Sequence, residues 1–234
     1  MSPLSYDALR RTAYEANMEL SSSGLVMGTF GNLSAADRGA GVFAIKPSGV
    51  PYDTLTPADI VVVSLDTGAT VDSRLRPSSD TPTHLELYRA FDCGAIVHTH
   101  SEYATAFAQA RLPIRCMGTT HADYFCGDIP VTRPMTSEEV ESDYEKNTGL
   151  VIVETFGGER SAADIPAVLV ANHGPFAWGP DARKAIEHAR VLEYLARLEW
   201  RVRTMAPEAQ PPERCLVDKH YLRKHGPKAY YGQP

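Results

Sequence analysis

The apolar runs of this sequence are short, and that limits the folds open to it. Ile60-Val61-Val62-Val63 is typical: four residues, then turn-forming side chains, then a stretch with helical spacing. Runs of this length cannot cross a bilayer and read as buried strands. Strands are expected at 25–30, 42–45, 60–65, 95–100, 150–156 and 167–170. Helical patterns stand between them. One runs from the start of the chain to about Leu20, where Ser21-Ser22-Ser23-Gly24 ends it. Another opens at Thr81-Pro82, with proline at its first position, and stops before Gly94. A third covers 102–110. The capping box Thr136-Ser137-Glu138-Glu139 starts a fourth, running toward Gly149. Asp181 opens a long amphipathic helix to about Thr204, with Ile186, Ala189, Leu192 and Leu195 on one face. Pro211-Pro212 precedes a last helix that ends at Gly226, and residues 228–234 form a tail.

Strands and helices alternating without a repeat, a long linker or a low-complexity tract imply one α/β domain over 1–234. With 234 residues and 43% hydrophobic side chains, the chain can bury a substantial core. Its net charge of -6 argues against a nucleic-acid binder acting through bulk charge. Cys93, Cys116, Cys126 and Cys215 lack C-x-x-C spacing and read as free thiols. The first residues contain no apolar segment of a secretory signal. A cytoplasmic protein, without membrane or nucleic-acid partners, is the expectation. The glycine fingerprints for dinucleotides and nucleoside triphosphates are absent, as are G-x-S-x-G and H-E-x-x-H.

Eight histidines remain to be sorted. His98 and His100 stand two apart on an expected strand, so their imidazoles share a face and can converge on one ion. His173, in Val170-Ala171-Asn172-His173-Gly174, again follows a buried run. Three neutral imidazoles with a carboxylate or water form a catalytic zinc shell with an exchangeable position. Asp80 offers such a carboxylate. Spacing leaves the alternative open that the histidines pack and that Asp80 caps the helix at Thr81.

Gly28-Thr29-Phe30-Gly31-Asn32-Leu33-Ser34, Lys46-Pro47-Ser48-Gly49 and Arg76-Pro77-Ser78-Ser79 share another theme. Glycine lets backbone N–H groups approach an anion, Ser and Asn add donors, and Lys46 supplies one compact positive charge. Together they suit a single phosphate, although each alone also reads as an ordinary turn.

Gly31-Asn32-Leu33-Ser34, Lys46-Pro47-Ser48-Gly49, the run from Ser78 to His84, His98-Thr99-His100-Ser101 and Asn172-His173-Gly174 resemble, in order and spacing, the class II aldolase/adducin family. Two further stretches resemble its branch that epimerises L-ribulose 5-phosphate at C4. These are Thr119-Thr120-His121-Ala122-Asp123-Tyr124-Phe125, and the run from Asp218 to Gly226 followed by Ala229-Tyr230-Tyr231-Gly232-Gln233. The resemblance implies a three-layer α/β/α fold around a central mixed, largely antiparallel sheet. It also implies a homotetramer with active sites at subunit interfaces.

By the same resemblance Asp80, His98, His100 and His173 are ligands for Zn2+, with Mn2+ or Co2+ accepted by such a shell. Gly31, Asn32, Lys46, Ser48, Gly49, Ser78 and Ser79 are substrate and phosphate contacts. Asp123 and Tyr231 are the acid–base pair, contributed by a neighbouring subunit, with His220 in support. The dipeptide Ala171-Asn172 departs from the His-Ser of the epimerases, which leaves the support of His173 open. Outside this set, His84 and His188 are expected to pack or face solvent, His121 to line the site, and His225 to cap a helix.

The implied reaction interconverts L-ribulose 5-phosphate and D-xylulose 5-phosphate in L-arabinose-type pentose catabolism. The hydrogen on C4 is not acidic, so cleavage and re-formation of the C3–C4 bond is the expected route. Two rivals stand beside this reading. One is an aldolase releasing a free aldehyde, a branch that carries glutamate where this chain has Asp80. The other is an interaction module like the adducin head, which lacks the metal ligands.

Overall fold

In a computed structural model of the chain, describing residues 6–158 and 160–231, seven strands form one sheet ordered β4-β3-β2-β1-β5-β7-β6. The strands are β1 (Asn32–Asp37), β2 (Val42–Ile45), β3 (Val61–Ser64), β4 (Thr70–Asp72), β5 (Ala95–His98), β6 (Ala167–Leu169) and β7 (Pro175–Gly179). Every ladder is antiparallel. Among the described residues parallel pairing is confined to a single bridge, Val131 to Leu169. The helices are α1 (Asp7–Ser22), α2 (Thr81–Ala90), α3 (Glu102–Ala110), α4 (Thr119–Ala122), α5 (Ser137–Glu141), α6 (Tyr144–Thr155), α7 (Ala182–Met205) and α8 (Arg214–His225). The arrangement is the expected α/β/α fold. None of the described helices is long and apolar enough to cross a membrane.

Burial explains the layers. On one face Ser34 stands opposite Ile45 and Ile96, and its hydroxyl meets His84 Nδ1 at 2.7 Å and the Tyr88 hydroxyl at 2.8 Å. That contact fixes α2, while the rings of Phe91, Phe156 and Trp178 join the ends of α2 and α6 to β7. Across the sheet α1 and α7 pack together and onto β1, β5 and β7. Buried Asn17 of α1 donates to the Leu33 carbonyl and accepts from the Leu33 N–H, both at 2.9 Å, so it satisfies both backbone polar groups of that residue. Asp181 caps α7 by accepting from Lys184 N at 2.7 Å, and Ile186, Ala189, Leu192 and Leu195 are all buried.

Several expectations need correction. Residues 25–30 form a turn, not a strand: Phe30 N donates to Met27 O, Gly28 has φ +60°, and no neighbouring strand is there to pair. Residues 150–156 are not a strand either. They continue α6, because Thr148, Val151 and Ile152 fall on one helical face and Gly149 lies against Thr83 of α2. Tertiary packing here overrides the β preference of Val and Ile. The capping box at Thr136 is present, but its helix lasts one turn before breaking at Ser142. The strand at 95–100 ends at His98, and proline takes the second rather than the first position of α2. β1, β4, β7 and α4 were not expected. Residues 1–5, Gly232, Gln233 and the end of the tail lie outside the described residues.

Candidate metal and anion-binding site

The register of three strands sets one side of the site. Asn32 of β1 is opposite His98 of β5, and His98 is opposite Phe176 of β7, so the three side chains form a row on one face. His98 stacks on Phe176 with ring centroids 4.2 Å apart, and its Nδ1 lies 3.0 Å from the Pro175 carbonyl. That carbonyl can accept only from an Nδ1–H, which leaves Nε2 free as a ligand. Nε2 of His98 lies 3.1 Å from Nε2 of His100. His173, in the turn between β6 and β7, brings its ring to 4.8 Å from His98 and 5.1 Å from His100, centroid to centroid. One ligand atom from each of the three lies within 4.8 Å of the others.

Two glycines permit this convergence. A Cβ on Gly174 would stand 2.7 Å from the Thr99 carbonyl, and one on Gly31 would stand 2.9 Å from the His98 carbonyl. Gly31 also has φ +76°, a left-handed conformation that favours glycine.

Asp80 is the N-cap residue of α2, but its carboxylate makes no capping bond. Oδ2 instead accepts from Asn32 Nδ2 at 2.6 Å, and the same amide reaches the Ser78 hydroxyl at 3.2 Å. The capping reading is thus corrected: the side chain turns from the helix toward the histidines. Burial opposes ionisation of Asp80, but His98, His84, Asn32 and His173 together outweigh it and hold the carboxyl below its ordinary value. Burial, reinforced by the neighbouring imidazoles, lowers His100 and brings His173 to about 4. Both are therefore neutral at pH 7, the form in which an imidazole binds a cation. The converging cluster holds the three histidines; Asp80 lies beside it in the same cavity.

That cavity has a volume of about 420 Å³. Asp80, His98, His100 and His173 line it, together with Gly31 and Asn32. Lys46, Ser48, Gly49, Ser78 and Ser79 line it as well. The two turns carrying those residues are tied together, since Ser78 N donates to Lys46 O and Ser48 N donates to Arg76 O. Lys46 is 2% exposed, and no ion pair to a carboxylate holds it among the described residues. Its Nζ sits 4.8 Å over the Tyr52 ring, and burial lowers its pKa. A buried ammonium without a counter-ion is costly and favours an anionic ligand. Phe30, Tyr144 and Glu145 also line the cavity and were missed. Tyr144 and Glu145 open α6, whose start the sequence hid by running two helices together.

The residues expected as the acid–base pair lie elsewhere. Asp123, just after α4, meets α8: its carboxylate lies 3.0 Å from His220 Nδ1, accepts from Arg223 at 2.9 and 2.8 Å, and lies 3.6 Å from Lys224 Nζ. Burial pushes its pKa up, but the bonds from Arg223 and His220 and the charge of Lys224 prevail and hold it below the usual value. The Tyr231 ring lies 4.6 Å from both the Arg223 guanidinium and Lys224 Nζ, and is 58% exposed. None of Asp123, His220 or Tyr231 lines the cavity of its own chain.

The other histidines are also placed. His84 and His188 are buried, each bonded within the core. His121 does not line the cavity; it is buried with Nε2 2.7 Å from the Gly127 carbonyl. His225 does not cap α8, since its Nε2 lies 3.0 Å from the Asp123 carbonyl.

Known proteins share this sequence and shape. Residues 11–200 match the model of the class II aldolase and adducin N-terminal domain. The chain is 52% identical over 226 residues to the L-ribulose-5-phosphate 4-epimerase UlaF of Salmonella paratyphi B, covering 96% of this chain and 98% of that one. Among solved structures, an L-fuculose 1-phosphate aldolase superposes with a TM-score of 0.79 at 27% identity, covering 95% of this chain and 99% of the other. YgbL of Klebsiella pneumoniae, described as a putative aldolase/epimerase/decarboxylase, does so with 0.72 at 27% identity, covering 93% and 99%.

Proposed function

This chain belongs to the class II aldolase and adducin family, and we propose that it is a metal-dependent L-ribulose-5-phosphate 4-epimerase. Its substrates are L-ribulose 5-phosphate and D-xylulose 5-phosphate, as in the catabolism of L-arabinose-type pentoses. The observation that carries this reading is one cavity holding three converging imidazoles together with a buried lysine that has no ion pair among the described residues and two hydroxyl-bearing turns. A ketose phosphate has a pair of oxygens for the first and a phosphate for the second.

Asp80, His98, His100 and His173 would hold the cation, with zinc the first choice and manganese or cobalt compatible with the donors. Three imidazoles crowded around one point, those of His100 and His173 held neutral, with an ionised carboxylate beside them, are a donor set that fits. When bound, the cation supplies Lewis-acid stabilisation of the negative charge that C3–C4 cleavage leaves on the ketose fragment.

The chain's own residues perform the remaining tasks. Lys46, with Ser48, Gly49, Ser78 and Ser79, holds the phosphate of the aldehyde fragment while that fragment turns to present its other face. Gly31 and Asn32 border the ketose end, and Asn32 also fixes the Asp80 carboxylate. Asp123 and Tyr231 exchange a proton with the C4 oxygen, one for each epimer, and His220 orients the Asp123 carboxylate. Because this group stands outside the cavity of its own chain, it serves the cavity of a neighbouring copy in a homotetramer. The four free cysteines accord with a reducing, cytoplasmic setting.

The test is a coupled assay for D-xylulose 5-phosphate formed from L-ribulose 5-phosphate, with and without chelator. Metal-dependent epimer formation is expected. Net release of free aldehyde without epimer would move the chain to the aldolase branch.

A further inference from the structure

The three histidines of the triad are not secured alike. His98 is tied through Nδ1 to the Pro175 carbonyl, whereas His173 Nδ1 is buried with no hydrogen-bond partner. The orientation of His173 therefore depends on the backbone turn that carries it. Among the described residues other than glycine, positive φ occurs at two positions, Arg111 at +55° and Asn172 at +62°. They are bonded to each other. Arg111 Nε donates to Asn172 Oδ1 at 2.9 Å.

The contact belongs to a larger joint. α3 ends in a left-handed turn at Arg111, where Arg111 N donates to Ala108 O and Leu112 N donates to Phe107 O. This is the crossed pair of bonds that closes a helix at a left-handed residue. Asn172 fits onto the same end: its backbone N–H donates to Ala108 O at 2.9 Å and its Nδ2 donates to Gln109 O at 3.4 Å. Asparagine is among the few side chains at ease in the left-handed region, so it can hold the turn and still use both ends of its amide.

The opposite end of α3 is held as well. Its N-cap Ser101 makes no side-chain cap. Instead Glu193 of α7 accepts from Tyr103 N and Ala104 N, each at 2.9 Å. α3 begins two residues after His100, and its far end carries the turn before His173. One short helix thus spans the two ligand segments.

We infer that Asn172 is a positioning residue for His173: its left-handed backbone and its bonds to the end of α3 and to Arg111 hold the imidazole where it meets His98 and His100. This rests on the reading of the triad as a metal site. The Asn172 amide supports His173 through the turn that carries it, and not by a bond to the imidazole. That answers, for this chain, what replaces the His-Ser pair.

The test is titration of the metal-free protein with Co2+, read by its visible absorption, which reports ligand number and geometry, beside thermal melting of the metal-free form. Asn172→Gly keeps the left-handed backbone and loses the amide; Asn172→Ala loses both; Arg111→Ala removes one partner. Losing such support around a metal ligand weakens binding by about ten- to a hundredfold. The expected order of weakening is N172A, then N172G, then R111A, with an altered Co2+ spectrum in N172A. N172G guards against a fold defect, since glycine adopts this backbone without strain. Unchanged Co2+ affinity and spectrum in both Asn172 variants, whatever their melting temperatures, would overturn the inference and leave Asn172 a structural residue. Failure of the unaltered protein to bind Co2+ would instead overturn the metal reading, and the inference with it.

Discussion

The cavity and the Asp123 cluster are built in opposite ways. The cavity grows from the sheet: Asn32, His98 and Phe176 are aligned by strand register, and His98 and Lys46 are each 2% exposed. The Asp123 cluster joins a one-turn helix to the last helix through charged contacts, and its Tyr231 lies largely in solvent. The residues proposed to bind are set by the sheet, and those proposed to move a proton stand just past α4 and beyond the end of α8. A peripheral set can serve another chain, whereas a set rooted in the sheet serves its own.

Four measurements sharpen or break this contrast. The largest effect is expected for His98→Ala, with a loss of kcat/KM of about a thousandfold or more, since a cation contributes several kcal/mol to charge stabilisation. Bound metal, measured by atomic emission, should fall with it. Next comes Asp123→Asn, with kcat down about a hundredfold and metal content unchanged. Mixing that variant with His98→Ala chains under exchange conditions should restore turnover, because some sites then take each intact group from a different chain. No recovery on mixing would mean that cavity and cluster serve one chain.

A smaller effect follows Lys46→Ala. Losing a charge-assisted bond to phosphate raises KM by roughly ten- to a hundredfold, with little change in metal content, as substrate titration would show. The smallest concerns pH and the metal-free protein. Burial holds His84 at about 3, and His121 and His173 at about 4, while unfolded histidine titrates near 6.5. The unfolded chain thus gains protons that the folded one refuses. The stability from these groups is complete above about pH 6.5 and is lost as pH falls toward 4. Melting temperature should decline over that window, and His121→Gln should flatten the decline; an unchanged profile would remove His121 from the account.

Local chemistry made much of this molecule readable from its sequence. Glu102 to Ala110 was bounded as the structure has it, and Asp181 announced the cap that α7 uses. Apolar content misled at 25–30 and 150–156, where β-prone side chains sit in a turn and in a helix held by α2. β7 was missed because it opens with Pro175 and, beyond its hairpin with β6, is completed by β5, which is remote in sequence. Spacing offered His98 and His100 as a pair and His173 as a third but left packing open, and the family resemblance joined them; His100 in fact lies past the end of β5. Tyr144 and Glu145 carried no such signal, since only the break at Ser142 brings them to the cavity.

The row from Asn32 through His98 to Phe176 has a consequence for the order of folding. Its three strands come from early, middle and late in the chain, so the row exists only after two long-range pairings have closed. Such closures are the slow steps of an antiparallel topology. The β1–β4 meander can form from neighbouring segments and bring the Lys46 turn with it. The imidazoles meet only when β5 enters beside β1 and β7 beside β5. A cation therefore has no triad to bind until the slowest pairing is complete, and its uptake reports a finished chain rather than templating an unfinished one.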